Sequence, residues 1–337
     1  LLTALETSRE LSVYDTELNF ELMRLPTGRA PQGVAISSDG SLAYVHNFMD
    51  RSITQFDLTE IVETELPSTD VVGEYSVVTV ETLTPEVLVG KQIFYDGADD
   101  RLTLDNYMSC ASCHNEGDSD GRVWDLTGMG EGLRNTISLR GKGSGHGREH
   151  WTGNFDEVQD FENQIRILNV GSGLMSQEDF DLTSDTLGAP KAGLSADLDA
   201  LAAYVNSLTE LPASPFRESA ASMTAEALAG QDLYYTSGCN GCHTRPDLTD
   251  SEGSVLHDIG TIDSASGSRL GGELTGFDTP SLLGIWENPP YLHDGSAATI
   301  EEAIEAHTDH GLTEAEVSQL GALLRELEAA PQLPPGC

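Results

Sequence analysis

Lysine is almost missing from this chain: Lys91, Lys142 and Lys191 are the only three in 337 residues. Arginine does little to correct the balance, since Lys and Arg together number 17 against 56 Asp and Glu, a formal net charge of -39. A surface this acidic excludes nucleic-acid binding through a basic face, and it opposes adhesion to anionic lipid. Long apolar runs are missing too, and with no run of 18 apolar residues a transmembrane helix is excluded. Cysteine is sparse, at five residues, and a chain of this length can bury a core without disulfide staples. What is left is the composition of a soluble globular protein, 38% hydrophobic, long enough for two or three domains. The acidity reads first as solubility in salty surroundings and, more sharply, as a docking face for a basic partner.

Four of the five cysteines fall in two pentapeptides, Cys110-Ala-Ser-Cys113-His114 and Cys239-Asn-Gly-Cys242-His243. Each is a CxxCH, the attachment signature of c-type haem: both thiols add to the haem vinyl groups and the adjacent His is the proximal iron ligand. A redox dithiol or half of a zinc site would use the same cysteines. Zinc, however, closes one site with four ligands, and these pairs lie far apart in the chain. Two covalent haem c groups are expected. Their attachment takes place outside the bacterial cytoplasm, so the protein is expected to be exported, periplasmic or extracellular, with its leader removed ahead of Leu1 or the given sequence starting downstream of it. Cys337, the last residue, has no evident partner in this pattern.

The organisation changes along the chain. Residues 1–62 read as short strands and turns: Leu11–Asp15, Gly33–Ser37, Leu42–His46 and Ser52–Asp57, with a hairpin turn at Ser38-Asp39-Gly40. The phrase from Pro31 to Asn47 resembles one blade of a YVTN-type β-propeller. A single blade cannot bury both faces, so this segment is either the tail of a longer propeller, the favoured reading, or packs on the haem domain. Residues 63–84 read as a linker or an added strand (Glu74–Val80). At Thr84 the period becomes helical: Pro85–Phe94, capped by Thr84, leads into the first CxxCH. Ala225–Tyr235, capped by Thr224, leads into the second. Amphipathic helices follow at 195–207, capped by Ser195, and at 313–327. The reading is mainly α: two cytochrome-c-like haem domains, 85–210 and 211–337, after a small antiparallel β segment.

Thr279-Pro-Ser-Leu-Leu-Gly284, Pro289-Pro-Tyr-Leu-His-Asp-Gly295 and Leu256-His-Asp-Ile-Gly260, beside the two CxxCH sites, resemble the bacterial di-haem cytochrome c peroxidase and MauG superfamily over roughly Thr84 to Leu327. The resemblance implies that H2O2 meets the His114 haem while the second haem stores or relays electrons. The register after His293 places His307 where the family has the distal ligand of the second haem, Met in peroxidases and Tyr in MauG-type enzymes. Ile300, Ala303, Ile304 and His307 share one face of a helix running from Thr299 to His307, and His310 ranks second as ligand. Two imidazoles favour ferric iron more than a His/Met pair does.

On the first haem's distal side, Gln164 matches the family's Gln, and Trp151 stands in the place of its inter-haem Trp, an oxidisable relay. The family's catalytic Glu falls in Gly171–Met175, which has no acid. His146, His150, Asp156, Glu157 and Asp160 are the substitutes for a distal base, and Met129 sits near the register of the distal ligand. The resemblance also implies one Ca2+ with Asn135 and carbonyls near Pro290 as oxygen ligands. The expected function is an exported di-haem oxidoreductase that reacts with H2O2 and oxidises a redox protein or a protein or aromatic substrate. The rivals are a plain di-haem electron-transfer cytochrome, and an interaction protein in which the propeller binds.

Overall fold

The computed structural model describes residues 1–64, 67–141, 147–219, 222–308 and 310–328. They form two compact units. The first comprises Leu1–Ser112, Phe161–Phe180 and Gly193–Tyr204; the second comprises Cys113–Asp160, Asp181–Ala192 and Val205 onward.

The first unit opens with β1 (Leu2–Leu5), β2 (Glu10–Asp15) and β3 (Phe20–Pro26), a three-stranded antiparallel sheet. A four-stranded antiparallel meander follows, built from β4 (Pro31–Ile36), β5 (Leu42–Asn47), β6 (Ser52–Asp57) and β7 (Asp70–Ser76), with α1 (Thr59–Thr64) before its last strand. Alternation does its expected work here. Ala43 and Val45 on β5, and Phe56 on β6, face inward onto Leu11, Val13 and Leu25 of the first sheet. The Ser38-Asp39-Gly40 turn is held by Asp39, whose Oδ1 accepts from Ser37 Oγ at 2.6 Å and from the Ser41 N–H at 3.1 Å. The β segment is thus two sheets, the second a four-stranded meander, and β7 lies in the stretch read as a linker or an added strand.

Two helices of this unit cross closely. α2 (Pro85–Phe94) starts at Thr84, whose hydroxyl accepts from the Val87 N–H at 3.3 Å. The unit also holds α3 (Phe161–Ile167) and most of α4 (Gln177–Thr183) and α5 (Ala196–Asn206). Gly90 of α2 lies so near α5 that a Cβ there would collide with the Ala200 carbonyl oxygen. Phe94 and Tyr204 close the crossing edge to face, ring centres 5.0 Å apart.

The second unit repeats the device. It contains β8 (Val123–Asp125) paired with β9 (Leu133–Asn135), α6 (Ala225–Thr236), β10 (Leu256–His257) paired with β11 (Phe277–Asp278), α7 (Ile300–Glu305) and α8 (Glu314–Arg325). Thr224 caps α6, while Thr299 and Thr313 form capping boxes with Glu302 and Glu316. α6 packs on α8 through Ala227, Tyr234, Leu320, Leu323 and Leu324, all buried. At the crossing a Cβ on Gly230 would strike the Gln319 carbonyl oxygen.

Because backbone blocks the added methyl at both crossings, Gly90→Ala and Gly230→Ala are each expected to cost about 1–3 kcal/mol. Gly128, with nothing within 4 Å of its would-be Cβ, serves as the control. Urea melts in which Gly230→Ala is as stable as Gly128→Ala would contradict this reading of the crossings.

Helix accounts for only 29% of the structure, so the architecture is mixed rather than mainly α. The reason lies around the CxxCH segments, where the chain runs in short turns and loops between few helices. Among the described residues no helix is long and apolar enough to cross a membrane.

Candidate functional site

The second CxxCH opens on a cavity. Cys239–Gly241 form a 3₁₀ turn directly after α6, and Cys239, Cys242 and His243 line a hollow of about 400 Å³, within the usual span for cofactor pockets. Ile300, Ala303, Ile304 and His307 line the same hollow. The face read from the sequence therefore does point inward, although α7 ends at Glu305 and His307 sits just beyond it.

Five histidines border the cavity: His243, His257, His293, His307 and His310. Their hydrogen bonds sort them. His243 Nδ1 meets the Leu248 carbonyl at 3.1 Å, and His307 Nδ1 meets the Ala303 carbonyl at 2.8 Å. A carbonyl only accepts, so each Nδ1 carries the proton and each Nε2 keeps its lone pair, the arrangement of an iron ligand. His310 Nδ1 instead accepts from the Leu312 N–H at 3.1 Å, which puts its proton on Nε2 and unfits it as a ligand. His257 is engaged at both nitrogens, 2.7 Å from Asp250 Oδ2 and 3.6 Å from Cys242 Sγ. Burial lowers the pKa of His243 to about 4, opposed by the Leu248 carbonyl and reinforced by His307. It is held neutral, as ligation requires. The Tyr234 hydroxyl donates to the His243 carbonyl and fixes the backbone there.

Cys242, Asp250 and His257 bring their donor atoms within 4.8 Å of one another, a set able to hold a metal ion on its own. With Cys242 in a thioether that set loses its thiolate. The residues around the cavity, two thiols and two imidazoles with lone pairs available, fit a haem c.

Trp151 lines the cavity as well. Its Nε1–H donates to the Asn135 carbonyl at 2.8 Å, and its ring meets His293 edge to face at 6.5 Å. His293 is buried, bonded to Ser266 Oγ at 3.1 Å and stacked on Phe277 at 3.9 Å. Asn135 is buried too. Its Nδ2 lies 2.6 Å from the Pro290 carbonyl, while its Oδ1 has no hydrogen-bond partner. Turning the amide would point two oxygens at each other, which a hard cation between them would reconcile.

Around the first CxxCH, Cys110–Ser112 and Asn115–Gly117 form 3₁₀ turns. Burial, then Asp120, raises the pKa of the Cys113 thiol to about 11. Met129 ends a further 3₁₀ turn, Thr127–Met129. His150 lies in the second unit, and Gln164 is half-buried on α3 in the first. His146 lies outside the described residues. A carboxylate does reach Gly171–Met175 from α3: Glu162, fully buried, accepts from the Leu174 and Met175 N–H groups and from Arg166. With all those donors it is a clamp for that loop.

Asp160 and Glu157 are structural in the same way. Asp160 receives Lys191 Nζ at 2.6 Å, both side chains buried, and Glu157 accepts from the Lys191 N–H. Asp156 is exposed. The sequence gives no sign of the Leu174, Met175 and Lys191 partners, because they lie 12 to 34 residues away in the chain.

No family model matches the chain. It is 28% identical over 265 residues to hydrazine synthase subunit gamma of Kuenenia stuttgartiensis, covering 65% of this chain and 68% of that one. To cytochrome c551 peroxidase of Nitrosomonas europaea it is 26% identical over 299 residues, covering 76% and 86%. With methylamine utilization protein MauG of Methylorubrum extorquens the figures are 28% over 297 residues, covering 74% and 80%. A solved MauG-like protein associated with microbial copper homeostasis matches with a TM-score of 0.50 at 21% identity, over 75% of this chain and 91% of that one, a likeness of fold. By sequence, then, the chain is similar to a cytochrome c peroxidase and to a MauG protein, each at under 30% identity.

Proposed function

We propose that this chain is an exported, periplasmic di-haem oxidoreductase that consumes H2O2 and oxidises a redox protein, or a protein or aromatic substrate. The observation carrying this reading is the cavity beside Cys239 and Cys242, where His243 and His307 each have Nδ1 tied to a carbonyl and Nε2 left for iron. Haem, when bound, supplies the iron at which peroxide is reduced and oxidising equivalents are held. Cys110, Cys113, Cys239 and Cys242 would hold the two groups through thioether links, His114 and His243 would each ligate one iron, and His307 would be a further ligand of the second. The peroxide and MauG-like chemistry is supported by the names of two sequence relatives. The haem domains in this proposal are 85–210 and 211–337, and the sheets at the N-terminus belong to a β-propeller.

Each remaining residue has a stated task. Trp151 carries oxidising equivalents, its indole anchored by the Asn135 carbonyl against the cavity. His150 and Gln164 serve the peroxide side. Asn135 and the Pro290 carbonyl hold Ca2+, for which the buried, unbonded Oδ1 is the support. A net charge of -39 favours a basic redox partner over an acidic one.

The test is an anaerobic H2O2 titration of the ferric protein followed optically. The expected result is consumption of one equivalent with changes at both haems. A wholly low-spin spectrum that peroxide leaves untouched would establish the plain electron-transfer cytochrome instead. Trp151→Phe nearly keeps size and apolarity, so it should fold normally while slowing the spread of oxidising equivalents to the second haem. Unchanged formation and decay of the oxidised state in that variant would remove the relay.

A further inference from the structure

The segment leading into the first CxxCH exposes apolar side chains that the fold does not use. Leu104 and Tyr107, ahead of Cys110, are each more than half exposed, and so are Ile167, at the end of α3, and Val170 just beyond it. Single exposed apolar residues need no explanation, whereas a group of them does. Backbone pairing within the first unit sets these two segments side by side. The Leu104 N–H bonds the Asn169 carbonyl at 3.2 Å, and Thr103 pairs antiparallel with Val170. The Ser172 N–H reaches the Asp100 carbonyl at 3.3 Å, and the Gly173 N–H reaches the Arg101 carbonyl at 2.9 Å. Gly171 sits so close to this neighbour that a Cβ there would strike the Arg101 carbonyl oxygen.

The patch is held in shape at a cost. Val170 is fixed in the left-handed region at φ 56, a rare state for a β-branched residue, and strain of this kind collects at functional surfaces. Tyr107 stands three residues before Cys110, a span of at most about 11 Å, so the patch borders the first CxxCH. Its rim is acidic. Asp100 and Asp105 are exposed. Arg101, the cation between them, is already shared by Asp99 and Asp197, at 2.7 Å from each. Four carboxylates therefore meet one guanidinium. Val71 and Val80 are exposed as well, but they lie in or just after β7, away from either CxxCH in the chain.

We infer that the patch of Leu104, Tyr107, Ile167 and Val170 is the docking surface for a small, basic redox protein. The inference rests on the proposed function for the partner's redox character, and it adds where that partner sits. An apolar centre inside an acidic rim is complementary to an apolar centre inside a ring of lysines. The rim steers and orients the partner, and the centre, once emptied of water, supplies the affinity. A second copy of this chain is the poorer occupant, since each copy carries a net charge of -39 and the two repel. An acidic partner is opposed for the same reason.

The test measures binding of ferric mitochondrial cytochrome c, a small lysine-rich redox protein, to the ferric holoprotein by calorimetry at several salt concentrations. Succinylated cytochrome c, its lysines turned acidic, is the counterpart. The variants are Leu104→Ser with Ile167→Ser, Asp100→Asn with Asp105→Asn, and Val71→Ser with Val80→Ser as the control. All six side chains are exposed, so the variants should fold. Cytochrome c is expected to bind at low salt and its succinylated form is not. Leu104→Ser with Ile167→Ser should weaken binding about tenfold, the aspartate changes should flatten its salt dependence, and the control should alter neither. Cytochrome c that fails to bind, or that binds Leu104→Ser with Ile167→Ser as tightly as the wild type, would overturn the inference. Self-association of the wild type that Leu104→Ser with Ile167→Ser abolishes would make a second copy the occupant and overturn it too. Reaction with H2O2 is followed separately. A protein inert to H2O2 that still binds cytochrome c through the patch would sink the proposed function and leave the docking surface, while the reverse pattern would remove the surface alone.

Discussion

A chain with Cys239 and Cys242 both replaced by alanine is expected to carry one covalent haem where the wild type carries two. Both thiols line the same cavity as His243, so the two thioethers proposed there would be the only covalent hold on that group. The loss should reach the fold as well. Without a bound group the half-open hollow of about 400 Å³ loses the apolar contacts that would fill it, so the melting temperature should fall. The second unit cannot keep it dry and open, and must collapse, flood or unfold. Mass spectrometry of the denatured protein counts the haems, and a melt followed by circular dichroism reads the fold. Two haems retained by the double variant, with an unchanged melt, would show that these cysteines do not attach the group.

Lys191→Met should destabilise the protein by about 3–5 kcal/mol, the usual cost of leaving one member of a buried ion pair alone. Lys191 Nζ sits 2.6 Å from Asp160 with both side chains essentially inaccessible. Burial raises the pKa of the Asp160 carboxyl, and Lys191 pulls it back only in part. Asp160 also accepts from the N–H groups of Asp156 and Glu157 at 3.1 and 3.3 Å, so its loss of charge balance spreads to the turn ahead of α3. Adding Asp160→Asn to Lys191→Met removes the stranded charge and should restore most of the stability. Urea titrations of the three variants decide it. Equal stability for wild type and Lys191→Met would mean that the pair contributes nothing.

Local signals were the legible part of this fold. Pro85–Phe94 is helical over the residues read for it, because Thr84, Pro85 and the apolar spacing all act within one or two turns. The same holds for α6, for α5 within a residue of its reading at each end, and for β5 and β6, whose alternation is regular. β1 and β3 escaped notice. β3 runs Phe-Glu-Leu-Met-Arg-Leu-Pro with Phe20 exposed and Leu25 buried, a pattern that only its pairing with β2 turns into a strand. α3 and α4 are seven residues each, too short for periodicity to stand out.

The candidate site divides along the same line. Both CxxCH segments and the face Ile300–Ala303–Ile304–His307 were visible in sequence, since spacing defines them, and Trp151 through the family resemblance alone. Glu162 with the Gly171–Met175 loop, Asp160 with Lys191, and Glu131 with Asn154 and His150 were not. Those contacts are made across loops, and nothing in the residues themselves names the partner. The hydrogen bonds at Nδ1 that separate His307 from His310 belong to the same class: two histidines three residues apart look alike until the carbonyl and the N–H beside them are seen.

Low-temperature EPR of the ferric holoprotein, wild type against His307→Ala, tests the central assignment most directly. The wild type should show a low-spin bis-imidazole signal from the second haem, and His307→Ala should lose it, replaced by a high-spin or water-ligated iron. His307→Met should keep a low-spin iron and raise its potential. A low-spin signal that survives unaltered in His307→Ala would place another residue on that iron and contradict the site described for the second unit.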